Sequence, residues 1–433
     1  MNTSEVSQQS PSVLSKHLGM FANPKGNHLL ERTRPMGEWI DQRSELSTWP
    51  YARTLHARPS NETTLGSQND RRVSGINFGS TDYLNLSIHP DVLSAAKDAI
   101  DRYGFHAGAS PMLQGNTIPG RMLERAVGEA LRMEHVLLFP TGWAAGFGTI
   151  TGLVRPTDTI VIDQLAHACL MQGARAATQN VYLFRHNDAD ALRNRLAKLR
   201  AKDNENGIMV VSEGLFSMDS DWPELEALQR VCREFNAVLM VDVAHDFGSM
   251  GPQGTGQVGV QGLLGKIDIV MGSFSKTLGT NGGFVATNEP AVRQFLGIFG
   301  GSHMYSNGLS PIQSAVAVES MRIIRSEEGA ALRERAMDNI IRLRTGFEMR
   351  GIECLGMPSN VVPVMCGDET VAKFTGRLLE ENGLIANLVE YPAVPRERAR
   401  FRFQVMPSHT NAQIDRAVEV FASCLEEARA MAG

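Results

Sequence analysis

The sequence lacks the features that mark membrane, secreted and nucleic-acid-binding proteins. No apolar run approaches the ~18 residues needed to cross a bilayer, and the amino-terminal residues lack the basic and apolar regions of a secretory signal. The net charge is only −5, with no block of basic residues, which argues against nucleic acid or an anionic membrane as the main partner. We therefore expect a soluble, intracellular protein with no transmembrane segment.

Cysteine is also scarce. The chain has five cysteines, which are scattered, odd in number and without CxxC or metal-binding spacing: Cys169, Cys232, Cys354, Cys366 and Cys424. Disulfide frameworks and zinc sites need closely patterned cysteines, so neither is expected here. The pattern predicts reduced thiols, a cytoplasmic location and no metal.

The bulk composition indicates a globular protein of more than one domain. Hydrophobic residues make up 42% and charged residues 21% of the chain. A length of 433 residues is too great for one ordinary core. Residues 1–45 are polar and poor in periodicity, and we predict an extension that is partly disordered or that lies over a partner subunit. We assign 46–310 to an amino-terminal segment with a large domain, and 311–433 to a small carboxyl-terminal domain.

Short apolar runs alternate with helical patterns from about residue 77. Runs that are apolar on both faces and separated by helices predict a mostly parallel sheet covered on both sides. The runs are 136–139, 159–162, 181–184, 208–211, 238–241 and 267–271. Beyond residue 310 the pattern changes to one long helical stretch, 313–349, followed by a mixture of strands and helices that includes extended 384–388. This pattern predicts a smaller α+β domain.

A tight, hydroxyl-rich turn around Lys276 is the most informative segment. It follows the strand pattern of 267–271 and precedes a second extended pattern at 282–286, and Ser273 and Ser275 flank the lysine. A desolvated amine is a good nucleophile and can form a Schiff base with a carbonyl cofactor. An ordinary strand-end turn whose lysine reaches solvent is the alternative.

Asp242 ends the apolar run 238–241, and His245 follows three residues later. A carboxylate that emerges from a fully apolar strand is costly unless it meets a cation, and a protonated pyridine nitrogen is such a cation. His245 could hydrogen-bond the ring oxygen of the same cofactor. The alternative is a metal-binding or salt-bridge aspartate, although no other ligands cluster nearby in the sequence.

Two further strand ends carry suitable residues. Gly142 and Trp143 follow the run 136–139 and lead into a helix, where backbone amides suit a phosphate and Trp143 could cover an aromatic ring. His167 follows the run 159–162 and could stack on a planar cofactor or move protons. An ordinary strand-to-helix turn and a structural histidine are the alternatives.

Arg402 lies between two phenylalanines in an extended segment, where it could clamp a substrate carboxylate with two parallel hydrogen bonds. A solvated strand arginine is the alternative. Taken together, a phosphate turn, a stacking histidine, a strand-end aspartate and a turn lysine are what pyridoxal 5'-phosphate requires. We predict that cofactor.

The ordered set resembles the α-oxoamine synthase family of fold-type I pyridoxal-phosphate enzymes, from about residue 75 to the end. This family includes serine palmitoyltransferase, aminooxononanoate synthase, aminolevulinate synthase, glycine acetyltransferase and the α-aminoketone autoinducer synthases. The resemblance implies the transferase fold of that type, with a large parallel-sheet domain and a smaller α+β domain. It rests on 81–86, 141–143, Asp163 with His167, 213–218, 242–245, 273–276, 305–306, Arg402 and 409–410.

The resemblance implies roles around the cofactor ring. Lys276 is expected to bind the cofactor covalently and then to accept and donate a proton. His167 is expected to stack on the ring, and Asp242 to pair with its nitrogen. Ser217 and His245 are expected to hydrogen-bond the ring oxygen.

The resemblance also implies how the phosphate is held. Gly142 and Trp143 are expected to offer backbone amides, with help from Ser273 and Ser275. Ser306 is expected to reach the phosphate of the neighbouring subunit's cofactor, because sites in this family lie at a dimer interface. A homodimer with shared active sites is therefore expected.

The implied activity is a decarboxylative Claisen-type condensation of an amino acid with an acyl thioester, on coenzyme A or an acyl carrier protein, to an α-amino ketone. Arg402 is expected to bind the amino-acid carboxylate. Serine palmitoyltransferase-like and autoinducer-synthase-like activities both stay open. Another fold-type I aminotransferase or lyase is a further alternative. Aminotransferases are disfavoured because Gly282 and Gly283 occupy the neighbourhood of their phosphate-gripping arginine.

Three positions depart from the family pattern. The family usually has arginine where this chain has Pro111 and histidine where it has Gly120, and many members have glutamate where it has Val243. The first two lie in the segment expected near the thioester, so they bear on recognition of the acyl donor.

Overall fold

The computed structural model describes residues 13–67 and 71–432. These residues form two compact units. The central unit comprises Thr81–Ser217 and Asp221–Glu334. The terminal unit comprises the chain up to Ser80, Met218–Ser220 and the chain from Arg335 onward. The strands are numbered β1 to β14 along the described chain.

The central unit is built on a seven-stranded sheet of order β4-β10-β9-β8-β7-β5-β6. Its strands are β4 (His135–Phe139), β5 (Thr159–Asp163), β6 (Val181–Phe184), β7 (Ile208–Glu213), β8 (Val238–Asp242), β9 (Ile269–Ser273) and β10 (Gly283–Thr287). From β6 to β9 every neighbouring pair is parallel, and only β10 runs antiparallel to its neighbours β9 and β4. Each predicted run contains a strand, although the strand predicted at 267–271 begins only at Ile269, and the predicted mostly parallel sheet is confirmed.

Helices connect and cover these strands. They are Pro90–Tyr103, Ile118–Leu131, Gly142–Leu153, Ala168–Ala177, Ala189–Arg200, Leu225–Glu234, Gly256–Val260, Pro290–Phe299, Gly301–Met304 and Pro311–Ile324. Strands β5, β7 and β9 are buried along their whole length, and β8 is buried from its second residue, as expected when helices cover both faces of a parallel sheet. Ile160, Val211 and Met240 belong to one of its cores.

The terminal unit contains two smaller sheets. One has the order β11-β14-β13, from β11 (Val361–Gly367), β13 (Asn387–Val389) and β14 (Ala399–Gln404). The other has the order β1-β2-β3-β12, from β1 (Thr54–Leu55), β2 (Glu62–Gly66), β3 (Arg72–Asn77) and β12 (Leu384–Ile385). The helices Arg34–Glu45, Glu369–Glu381 and Asn411–Ala432 lie in this unit, and Glu327–Glu348 contains the boundary between the units.

The amino-terminal segment is part of the terminal unit's interior. Arg43 Nη1 lies 2.8 Å and Lys373 Nζ lies 3.4 Å from the two carboxylate oxygens of Glu390, and all three side chains are fully buried. Lys373 also donates hydrogen bonds to the carbonyls of Leu14 and Lys16. This network ties the chain from Leu14 onward to the core of its unit. Residues 1–12, where part of the predicted disorder falls, lie outside the described residues.

The long helical stretch predicted at 313–349 is two helices, Pro311–Ile324 and Glu327–Glu348. The hydroxyl of Ser326 accepts a hydrogen bond from the amide of Gly329 at 3.3 Å and so starts the second helix. Extended 384–388 is likewise divided, because β12 pairs with β3 whereas β13 pairs with β14. No helix within 13–67 and 71–432 is long and apolar enough to cross a membrane.

Candidate active site

Polar side chains end the neighbouring parallel strands of the central sheet. Asp163 ends β5, Glu213 ends β7, Asp242 ends β8 and Ser273 ends β9. Because these four strands are parallel neighbours, their carboxyl ends lie along one edge of the sheet. Ligands of open α/β sheets bind at this edge.

Lys276 lies in a turn of hydroxyl groups just beyond β9. The Ser273 and Ser275 hydroxyls are 2.7 Å apart, and the Thr81 hydroxyl donates to the Ser275 carbonyl at 3.4 Å. Gly282 has φ +126°, which lets the chain reverse into β10 where a side chain would be strained. Lys276 itself is half-buried. The turn therefore holds the lysine at the sheet edge without sealing it from a ligand.

Asp242 and Glu213 form a buried carboxyl pair within electrostatic reach of Lys276. Burial raises the pKa of Asp242, while the positive charges of Lys276 and His167 oppose the rise. Burial and the charge of Asp242 raise the pKa of Glu213 well above its usual range. Glu213 is thus the member that stays protonated, and Asp242 is the one that can carry the negative charge.

His167 begins the helix Ala168–Ala177 with its imidazole exposed. Its backbone amide donates to Glu213 at 2.6 Å, and its Nδ1 lies 3.0 Å from the thiol of Cys169. Burial, reinforced by Asp242 and Glu213, raises the pKa of that thiol, so the sulfur keeps its proton and can donate it to Nδ1. The Trp143 ring stands edge-on at 6.1 Å. These contacts fix the position of His167, whose exposed imidazole suits stacking on a flat ring.

The start of the helix Gly142–Leu153 forms a cradle beside the lysine turn. The Thr141 hydroxyl caps this helix by accepting from a first-turn amide. A Cβ on Gly142 would lie 2.5 Å from Cβ of Ser273, so only glycine allows the helix to begin this close to the serine. The amides of Gly142 and Trp143, at the positive end of a twelve-residue helix and next to serine hydroxyls, suit a phosphate.

His245 and Ser217 are both buried in the central unit. His245 Nδ1 lies 2.8 Å from the hydroxyl of Tyr83, which orients the imidazole. Ser217 lies in the turn that follows β7. Lys276 and His167 are thus close enough to Asp242 for their positive charges to lower its pKa. The structure also shows that Tyr83 is the hydrogen-bond partner of His245, which the sequence did not indicate.

Two predicted residues are placed elsewhere. Ser306 is half-buried and follows the short helix Gly301–Met304; its predicted role concerns a second subunit. Arg402 belongs to the terminal unit, in β14, opposite Pro363 of β11 and Asn387 of β13. One of its guanidinium nitrogens lies 3.7 Å from the sulfur of Met218 in the same unit.

Sequence reasoning did not single out Glu213, Tyr83 or Cys169 as site residues. A signal was present for Glu213, because it ends an apolar strand as Asp242 does. Tyr83 lies in the segment 81–86 that carries the family resemblance, but its contact with His245 could not be read from the sequence. Cys169 carried no local signal, since its importance depends on its contact with His167.

The residues present fit pyridoxal phosphate. Burial disfavours the charged form of Asp242, and a protonated pyridine nitrogen would be a further cation that stabilises it. The close packing of Gly142 on Ser273 leaves a cradle of amides and hydroxyls for a phosphate, and Lys276 follows Ser273 and Ser275 in the same turn.

Comparison with known proteins agrees with this geometry. The family described as aminotransferase class I and II matches residues 73–421. The chain is 34% identical to an 8-amino-7-oxononanoate synthase of Pseudomonas putida over 348 residues, which is 80% of this chain and 87% of the relative. It is 30% identical to a serine palmitoyltransferase of Sphingobacterium spiritivorum over 398 residues, which is 90% of this chain and 95% of the relative.

Among solved structures, the chain is similar to a serine palmitoyltransferase from S. paucimobilis with a bound PLP–myriocin aldimine. The TM-score is 0.86 at 28% sequence identity, and the alignment covers 93% of this chain and 100% of that one.

Proposed function

The chain belongs to the α-oxoamine synthases, fold-type I pyridoxal-phosphate enzymes within the class I and II aminotransferase family, and from this we propose its reaction. It condenses an amino acid with an acyl thioester. The bond from the amino-acid Cα to the thioester carbonyl carbon forms, the carbon–sulfur bond breaks and the thiol leaves with a proton. The carboxylate departs as carbon dioxide, and the product is an α-amino ketone.

One observation carries this proposal. The ammonium of Lys276 acts electrostatically on two carboxyls that are buried at the ends of adjacent parallel strands. A cation and a buried acid at the ligand-binding edge of a sheet are the arrangement that a pyridine ring with an aldehyde requires. The names of the curated relatives, both condensing enzymes, support the same reaction.

We propose a separate role for each residue around the cofactor ring. Pyridoxal phosphate, when bound, supplies an electron sink for negative charge at the substrate Cα. Lys276 holds the cofactor and then takes the proton from Cα and returns it to the product. Asp242 keeps the pyridine nitrogen protonated, while His167 covers the ring. Ser217 and His245 are proposed to hydrogen-bond the ring oxygen.

The phosphate and the substrate carboxylate are proposed to have separate anchors. The amides of Gly142 and Trp143, with the hydroxyls of Ser273 and Ser275, hold the phosphate. Arg402 binds the amino-acid carboxylate, since a guanidinium matches a carboxylate with two parallel hydrogen bonds.

The acyl donor is proposed to differ from that of typical relatives. Pro111 replaces an arginine and so removes a charge that could pair with an anionic carrier. Gly120 lies in the first turn of Ile118–Leu131, where a Cβ would be only 3.1 Å from the Thr117 hydroxyl, so this close packing favours glycine over the family's histidine. Val243 is fully buried, which is consistent with an apolar residue in place of glutamate. A serine palmitoyltransferase-like reaction is the first choice and an autoinducer-synthase-like reaction the second.

A matrix of substrates tests the reaction. The holoenzyme is incubated with a panel of amino acids crossed with acyl-coenzyme A and acyl carrier protein thioesters of different lengths. Free thiol and product mass are measured, with Lys276→Ala as the matched control. Thiol release without any keto acid supports condensation. Amino transfer that requires a keto acid, with no thiol release, would identify an aminotransferase instead.

A homodimer with shared active sites is proposed on the basis of an exposed apolar face. Met112, Leu113 and Ile298 line a cavity of about 520 Å³ on the surface of the central unit, and the neighbouring Phe299 is 59% exposed. Exposed apolar surface of this kind marks protein interfaces. Ser306 is next to Tyr305, which is 85% exposed, as a residue that reaches into a second subunit would be.

Leu113→Glu tests the dimer, because a charge at the centre of an apolar interface is costly to bury. Sedimentation equilibrium is expected to give twice the chain mass for the wild type and a shift toward the monomer for the variant. A monomeric wild type with full activity would contradict shared sites.

A cytoplasmic location is proposed because all five cysteines are thiols.

A further inference from the structure

His186 lies between two carboxylates in the central unit. Its Nδ1 is 2.8 Å from Asp163 Oδ1, and its Nε2 is 3.0 Å from Asp221 Oδ2. The imidazole is 15% exposed and the Asp163 side chain is fully buried. The ring also stands edge-on to Phe216, with centroids 4.5 Å apart.

Both ring nitrogens face an acceptor, so both must donate. Burial alone would lower the pKa of His186, but hydrogen bonds and charges from Asp163 and Asp221 together raise it to about 10. The side-chain nitrogen Nδ2 of Asn187 also lies 3.1 Å from Nε2, but the two carboxylates determine the charge of the ring. His186 is therefore a cation at neutral pH, and its charge is matched on both sides.

The first carboxylate belongs to the segment that carries His167. Asp163 ends β5, four residues before His167. Its Oδ1 also accepts from the amide of Leu165 at 2.9 Å, and its Oδ2 accepts from the amide of Asn187 at 3.0 Å. Asp163 thus shapes the turn after β5 and joins it to the segment after β6.

The second carboxylate closes the turn that carries Ser217. The amide of Phe216 donates to the carbonyl of Asp221 at 2.9 Å, and these two residues form an isolated antiparallel bridge. The turn between them contains Ser217 and leaves Phe216 against the His186 ring. A movement of Asp221 therefore moves the turn that holds Ser217.

We propose that His186 is a positioning residue that joins the turn of His167 to the turn of Ser217. It acts through Asp163 and Asp221, and it sets the distance between the His167 imidazole, which covers the cofactor ring, and the Ser217 hydroxyl, which contacts it. The inference rests on the proposed function in one respect, namely that these two residues contact the cofactor ring. It does not depend on which substrate is condensed.

The experiment compares cofactor binding in His186→Gln, Asp221→Asn and their double variant. Pyridoxal phosphate is titrated into each apoprotein, and the visible circular dichroism of the bound cofactor is recorded at saturation. Removing a residue that orients another ligating residue typically costs roughly 10- to 100-fold in affinity at metal sites. We expect a rise in Kd of about ten-fold or more for His186→Gln and a smaller rise for Asp221→Asn. Because His186 acts partly through Asp221, the double variant is expected to add little to His186→Gln.

Glu328→Gln is the matched control. His89 and Glu328 form a histidine–carboxylate pair of similar length, 3.1 Å, in the same unit, outside both turns. This variant is expected to leave the cofactor Kd and dichroism unchanged.

The result that overturns the inference is a His186→Gln protein that melts at lower temperature yet keeps wild-type Kd and dichroism, because that outcome shows a purely structural ion pair. If His186→Gln does not fold, the test depends on Asp221→Asn, which breaks only one of the two contacts. Wild-type Kd and dichroism in that variant would then overturn the inference. If the wild type does not release thiol, the proposed condensation is overturned, but the inference about His186 is not, because it is tested by cofactor binding. Failure of the wild type to bind pyridoxal phosphate overturns both.

Discussion

Glu213 and Asp242 lie directly opposite one another at the ends of the adjacent parallel strands β7 and β8. Both are buried, and each faces a different neighbour: the His167 amide donates to Glu213, and the Ala244 amide donates to Asp242. Two buried carboxyls this close do not both ionise. The two carboxyls therefore have different roles. Neutral Glu213 positions His167, and charged Asp242 faces the protonated pyridine nitrogen of the proposed cofactor.

This division predicts opposite outcomes for two amide substitutions. Glu213→Gln keeps a neutral side chain whose oxygen can accept from His167, so activity is expected to stay within a few-fold of wild type. Asp242→Asn removes the charge. The loss of one charged hydrogen bond of about 1.5–3 kcal/mol corresponds to a kcat roughly 10- to 100-fold lower. Steady-state thiol release measures both. Equal damage from the two variants would contradict the assignment.

Lys276→Ala is expected to abolish the visible absorption of the covalently bound cofactor and to lower the rate by at least ~10²–10⁴-fold, the usual range for loss of a general acid–base group. Absorption spectra and single-turnover assays measure these effects. Lys266→Ala, at an exposed lysine that donates only to the Gly262 carbonyl, is the control. An unchanged spectrum in Lys276→Ala removes the lysine from its role.

Arg402→Ala is expected to weaken binding of the amino acid but not of the thioester. Losing a charge-assisted contact of about 1.5–3 kcal/mol predicts a KM for the amino acid roughly 10- to 100-fold higher. The KM for the thioester is expected to stay near wild type. Separate titrations of the two substrates measure both values, and a rise only in the thioester KM would be inconsistent with the carboxylate role.

The charged state of His186 predicts a pH-dependent contribution to stability. The folded-state pKa of about 10 lies above the ordinary value of 6.5. The stabilisation is therefore fully present below pH 6.5 and is lost as pH rises through 10. His186→Gln is expected to lower the free energy of unfolding by about 1–3 kcal/mol at pH 6. The gap should shrink by pH 10. Urea unfolding at both pH values, at one protein concentration, measures it, and a gap that widens with pH would refute the imidazolium.

The buried network of Glu390 predicts a large cost for one neutralisation. Glu390→Gln leaves the fully buried cations of Arg43 and Lys373 without an anion. Breaking a buried pair from one side costs about 3–5 kcal/mol. Asp415→Asn is the control, because its pair with Arg342 is half exposed and should cost under ~1 kcal/mol. Urea midpoints of both variants measure the difference, and similar values for the two would show that burial does not matter here.

Local pattern was sufficient for the main architecture and for part of the site. Apolar runs separated by helical periodicity predict a covered parallel sheet, because a strand buried on both faces has no polar positions to alternate with. The same logic predicts the unusual character of Asp242 and of the Lys276 turn, since a charge next to a buried strand needs a partner wherever that partner lies.

Local pattern was not sufficient where two distant segments meet. The break of the helical stretch 313–349 depends on a serine cap that periodicity does not register. The split of 384–388 depends on which sheet each half joins.

The chain order shows each acid at the end of its own strand, but pairing Glu213 with Asp242 needs the adjacency and register of β7 and β8. His186 becomes a cation only because β6 lies beside β5 and brings it between Asp163 and Asp221. Arg43 is paired by a glutamate 347 positions away. Burial and charge are properties of the surroundings in space, and long-range packing sets those surroundings, whereas hydrophobic periodicity is local and can be read along the chain.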